Sequence, residues 1–237
     1  MKLKIAAGLL VGLSLAAPGQ AASISYFLNQ SNQLADGINY LKVTIDDEGA
    51  LGAINFTVEA LQPLLDLAGS NFGIQKFAFN VLGGVAAEAR NVDEPAGWRA
   101  RNGGRMDGFG LFDIRLEGKG NKRQDPLTFS ITGVDFDTIQ SYIDLSSGRS
   151  PEGFSLFAAH VAGFNLGNCD NGGYSGDKKG PSGSKKKGGS EGGKCITSAY
   201  FGGTQVVPAP PAIWLLGTAV AGLAVRRFRA GRQAAAA

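Results

Sequence analysis

Leu41-Lys42-Val43-Thr44-Ile45 sets an apolar residue at every odd position and a polar one at every even position. That two-residue period belongs to a strand with one face buried and the other in water. Ile54-Asn55-Phe56-Thr57-Val58-Glu59 and Leu127-Thr128-Phe129-Ser130-Ile131-Thr132 repeat it. Outward from these, further runs rich in aromatic and β-branched residues span 24–30, 74–81, 108–116, 154–164 and 198–201, separated by Gly, Asn and Asp clusters. With 40–46, 53–61 and 127–134 they make eight candidate strands. That pattern predicts an all-β body, an antiparallel β-sandwich or jelly roll over residues 22–205. Two stretches, 61–67 and 138–145, read as single helical turns, and Gly83-Gly84 and Gly103-Gly104 read as turns. No internal repeat supports a propeller or solenoid.

The chain has 237 residues, 36 of them Gly, with 43% apolar and 18% charged residues. The apolar share excludes a fully disordered chain, and Gly lacks the period of collagen. One domain, or at most two, fits this length.

Both ends read as addresses. Met1-Lys2-Leu3-Lys4, an apolar stretch from Ile5 to Ala17 and small residues before a cut after Ala21 have the form of a secretory signal peptide over 1–21. At the other end a Pro-rich segment precedes an apolar run at 212–225, followed by Arg226, Arg227 and Arg229. The run is 14 residues, about 21 Å as a helix, short of a hydrocarbon core of roughly 30 Å. Proline in the first turn and snorkelling arginine stems lengthen it enough to serve as a transmembrane anchor helix, and the arginines favour a cytoplasmic C-terminus.

Proline motif, short apolar helix and arginine cluster in that order resemble the PEP-CTERM sorting signal, here over 206–232 with the motif Val207-Pro208-Ala209-Pro210. Ala209 stands where the namesake pattern carries Glu. The resemblance implies a membrane-bound exosortase as processing partner, after passage through the Sec translocon and signal peptidase. It further implies transient anchoring in the inner membrane and final residence at the cell surface or in an exopolysaccharide matrix. It is silent about the chemistry of the body.

Residues 167–194 are nearly all Gly, Ser, Asn and Lys, a composition that cannot offset ordering entropy by burial and so predicts a flexible insertion. Lys178, Lys179, Lys185, Lys186 and Lys187 make it a candidate contact for exopolysaccharide or another polyanion, or simply a solvated loop. Specific nucleic-acid recognition is not expected. The only cysteines, Cys169 and Cys195, bracket the insertion. In an exported protein such a pair is expected to form a disulfide that pins its base.

Catalytic signals are sparse. His160 is the only histidine and lies in an apolar run, where a sheet residue is the commoner reading than a triad base. Neither a Gly-x-Ser-x-Gly elbow nor a Walker loop occurs. No cofactor is expected. Asp135 and Asp137 are the nearest approach to a Ca²⁺ site, sharing a strand face or lining a turn. Trp98, in a loop-like stretch beside Arg99 and Arg101, either stacks on a sugar ring or plugs the end of the body. The leading expectation is therefore an exported, non-enzymatic surface or matrix protein. A lectin-like or glycan-active module of the same fold is the alternative. Net charge is +3, but without 1–21 and the four C-terminal arginines it becomes −3, which leaves the insertion as the expected seat of any polyanion binding.

Overall fold

Alternation along Leu41–Asp46 (β3) and Ala53–Ala60 (β4) sends Leu41, Val43, Ile45, Ile54, Phe56 and Val58 to one side, where all six are buried. The two strands pair antiparallel, Val43 opposite Val58 and Ile45 opposite Phe56. A computed structural model describes this pair within residues 22–47, 52–166 and 195–207.

The remaining strands are β1 (Ser23–Leu28), β2 (Gln30–Ser31), β5 (Ala68–Phe79), β6 (Val92–Asp93), β7 (Trp98–Met106), β8 (Gly110–Gly118), β9 (Leu127–Thr132), β10 (Phe157–Leu166), β11 (Ile196–Gly203) and β12 (Gln205–Val206). They form two six-stranded sheets, ordered β12-β1-β3-β4-β9-β6 and β2-β11-β10-β5-β8-β7. Every pairing in both is antiparallel. The expected all-β, antiparallel class is therefore what the chain adopts.

The sheets meet through aromatic rings. Phe56 of the first sheet stacks on Phe79 of the second at 5.1 Å and on its own neighbour Phe129 at 4.8 Å. Tyr142 meets both Phe56 and Phe79 edge-on. Tyr26 against Phe157 and Tyr40 against Phe201 extend the same contact along the interface. Each fully buried Phe contributes about 1.5–3 kcal/mol through lost apolar exposure, so this aromatic layer is a principal source of cohesion.

Both helical turns fall where expected. Helix α1 (Gln62–Leu65) carries Pro63 in its first turn, where no backbone donor is needed, and drives Leu64 fully into the core between the sheets. A 3-10 turn at Ile139–Tyr142 delivers Tyr142. Gly83-Gly84 is a turn.

Three expectations are corrected. The stretch around Trp98 is strand, not loop: β7 pairs with β8 from Trp98–Gly118 to Met106–Gly110, and Gly103-Gly104 lies inside it. Strand β5 begins at Ala68, ahead of the expected 74, because its first half is irregular rather than alternating, with Asn71 and Gly73 at positive φ. The run 24–30 divides into β1 and β2, which belong to different sheets. Among the described residues no helix is long and apolar enough to cross a membrane. The expected signal peptide, the expected helix at 212–225, Pro208 to Pro210, Arg226, Arg227, Arg229, Cys169 and the five candidate lysines of the insertion lie outside the described residues.

Candidate functional site

In the second sheet, Phe77, Phe79, Ile114, Leu116, Phe157, Ala159, Ala199 and Phe201 point into the core. The residues between them must point the other way. Register then lays out two rows across the outer face. One runs Tyr200–His160–Lys76–Glu117–Arg99 over β11, β10, β5, β8 and β7; the next runs Gly202–Ala158–Ala78–Arg115–Arg101.

At the centre of these rows three cations share one carboxylate. Lys76 Nζ and Arg115 Nη2 each lie 3.2 Å from Glu117 Oε1, and Arg101 Nε lies 3.9 Å from Oε2. Arg99 is the cross-strand neighbour of the same Glu117. Half-exposed pairs of this kind add little to stability, about 0–1 kcal/mol each. Their consequence is electrostatic, because one carboxylate cannot neutralise three or four cations on one face. The whole segment 98–123 holds seven Lys and Arg against three Asp and Glu. Cations are thus not confined to the insertion, as the sequence led one to expect; strand pairing assembles a second group on the body itself.

Two clefts flank this centre. One, of about 520 Å³, is lined by Trp98, Arg99, Arg101, Glu117 and Lys119. Trp98 is only 5% exposed, lies against Gly118, and donates its indole N–H to the Lys122 carbonyl at 2.8 Å. It belongs to the main core cluster of buried residues.

The other cleft, about 310 Å³, is lined by Ser70, Gln75, Arg123, His160, Asn165 and Ser198 among others. His160 stacks on Tyr200 with ring centroids 4.4 Å apart. Burial, reinforced by the charges of Lys76 and Arg123, pushes its imidazole down to about 4. It is therefore neutral near pH 7. Its Nδ1 is buried without a hydrogen-bond partner, so among the described residues no carboxylate orients the ring as a triad would require. Asn165 of β10 and Thr197 and Ser198 of β11, which line this cleft, lie on the two strands that flank the insertion in sequence. Cys195 is not a free thiol.

The first sheet presents an opposite character. Its outer row Asp46–Asn55–Ser130–Asp93 borders a groove of about 510 Å³ that Thr57, Thr128 and Glu94 also line. The rings bordering it, Phe56 and Phe129, are buried in the core. Asp135 and Asp137 line a turn around Phe136, which is wholly exposed at φ 59°. Asp137 accepts the Tyr142 hydroxyl at 2.6 Å, and among the described residues no group of three or more potential ligands forms a metal site. Val207, the first residue of the expected sorting motif, donates its N–H to the Ser25 carbonyl just past β12.

Comparison with known protein families, curated proteins and solved structures finds no match to this chain.

Proposed function

We propose that the two facing sheets form a jelly-roll-like sandwich that is exported, sorted by the exosortase route, and held at the surface or in the matrix by its grip on acidic polysaccharide. The convergence of Lys76, Arg101 and Arg115 on the single carboxylate of Glu117 carries this reading. Such a face, on a body whose net charge without its terminal segments is −3, attracts polyanions locally and repels them elsewhere. A Cys169–Cys195 bridge would set the lysine-rich insertion beside the same sheet, since Cys195 directly precedes β11. The terminal segments support the export half of the reading.

Binding of the full chain to alginate and to neutral dextran, each across a salt series, tests the binding half. Alginate binding that weakens with salt, and falls about tenfold or more in an Arg99→Ser/Arg101→Ser variant, is the expected result. Equal binding to dextran would refute it. For the export half, the chain should lose C-terminal mass in a host with a working exosortase and keep it in one without.

The lectin-like alternative has one observation in its favour, the hydroxyl- and carboxylate-lined groove of the first sheet. A neutral-glycan array, with Asn55→Ala as control, distinguishes it.

A further inference from the structure

The cleft between His160 and Arg123 has features that a plain surface hollow lacks. The imidazole Nδ1 and the guanidinium Nε are both buried with no hydrogen-bond partner. Both side chains line the same cavity. An unmade buried hydrogen bond is costly, so two within one cleft call for a ligand that satisfies both.

The backbone is also specialised here. The β10–β5 register shifts between His160 and Val161 and again between Ala162 and Phe164, and the β10–β11 register shifts between Ala162 and Leu166. Gly163, at φ 91°, lets β10 press so close to β5 that a Cβ would lie 2.6 Å from the Asn71 carbonyl oxygen and the Phe72 Cα. Bulges of this kind re-aim side chains and concentrate beside binding sites. Among the described residues no Asp or Glu lines the cleft. Arg123 spends one guanidinium nitrogen on the Asn71 carbonyl at 2.8 Å, and among the described residues it makes no ion pair.

From this the geometry points to a subsite for one carboxylated sugar, a uronic-acid unit, with the carboxylate received by Arg123 Nε–H and His160 Nδ1–H. Ser70, Gln75, Asn165 and Ser198 supply amide and hydroxyl partners for the ring hydroxyls. The volume of about 310 Å³ is at the lower end for ligand sites and suits a single ring rather than an oligomer. The inference rests on the polyanion reading of this sheet and sharpens it: the cationic face supplies long-range attraction, and the cleft selects carboxylate.

His160 is the chain's only histidine, so its ring gives the sole imidazole resonances in an NMR spectrum of the full chain. Titration with sodium glucuronate should shift them saturably and raise the imidazole pKa, whereas glucose should do neither. Arg123→Gln should weaken the response about tenfold or more. Ser198→Ala, a smaller change, should weaken it without altering the circular dichroism. Shifts produced equally by acetate or sulfate would overturn the uronate assignment, as would no shift at all. The Arg99→Ser/Arg101→Ser variant separates the two readings. If it loses alginate binding yet keeps the glucuronate response, both stand. Alginate binding without any glucuronate response leaves the face and removes the subsite. A glucuronate response on a chain that never bound alginate leaves the subsite and removes the face.

Discussion

Acidification should destabilise this protein through His160 before most of its carboxylates matter. The imidazole titrates near 6.5 in the unfolded chain and near 4 in the folded one, because burial and the cations Lys76 and Arg123 oppose its protonation. Tyr200 of β11 stacks on it, and Glu117, the only carboxylate in its row, stands one strand beyond Lys76. A base whose folded pKa is depressed binds its proton more readily when unfolded, so stability is full above about pH 6.5 and falls as pH drops toward 4. The linkage gives a loss of about 2 kcal/mol at pH 5 and about 3 kcal/mol at pH 4, using 1.4 kcal/mol per pKa unit. Below pH 4 this contribution levels off at about 3.4 kcal/mol. Urea unfolding at pH 7, 6, 5 and 4, in buffers free of carboxylates, measures the total. Carboxylates add their own slope, so the relevant quantity is the difference from a His160→Gln variant, which cannot take up the proton. The wild type should lose about 3 kcal/mol more than the variant between pH 7 and pH 4. Parallel losses in the two proteins would show that the imidazole is neither buried nor opposed by those cations as described.

Four further outcomes follow from packing and exposure. Phe56→Ala should cost about 3–5 kcal/mol in urea unfolding, because Phe56 is 1% exposed and touches rings from both sheets. Tyr142→Phe should cost about 2 kcal/mol by the same measurement, since it strips Asp137 of its hydroxyl donor, and the other Asp137 oxygen is already without a partner. Gly163→Ala should cost roughly 2–4 kcal/mol, combining a positive φ with a backbone clash, whereas Arg101→Ser, at an exposed position, should stay within about 0.5 kcal/mol.

The strands that could be read from the sequence are those with one wet face. In β3, β4 and β9 the buried positions carry Leu, Val, Ile or Phe, with Ala60 at one strand end, and the outward ones are polar apart from Ala53, so the period is plain. Strand β7 escaped because its middle, Arg101-Asn102-Gly103, is exposed throughout and only Trp98 and Met106 at its two ends are buried apolar residues, so no alternation marks a period. Only its ladder with β8 reveals it. The outer face of β10 was hidden differently. Ala158 is fully buried in a second apolar cluster with Met106, Phe109 and Phe112, residues of the β7–β8 hairpin, so the strand reads as apolar on both sides and His160 looks like a core residue. The cationic centre was out of reach for a third reason. Lys76, Arg101 and Arg115 come from three strands, and no spacing along the chain announces that register sets them around Glu117.

Strand β12 pairs with the outer edge of β1, Tyr26 opposite Val206, which places Val207 against Ser25 and near Ala22. Both points where the expected tethers join the body therefore emerge at one end of one sheet edge. A body held in a membrane at both ends by this arrangement can complete its fold without being stretched between them, whichever tether is cut first. The arrangement also bears on release. The β12–β1 ladder holds only two residue pairs, so if the C-terminal segment does anchor the chain, tension on it would peel that strand before it disturbed the core. The edge it uncovers is a strand with free backbone donors and acceptors, a ready seat for the tail of a neighbouring molecule.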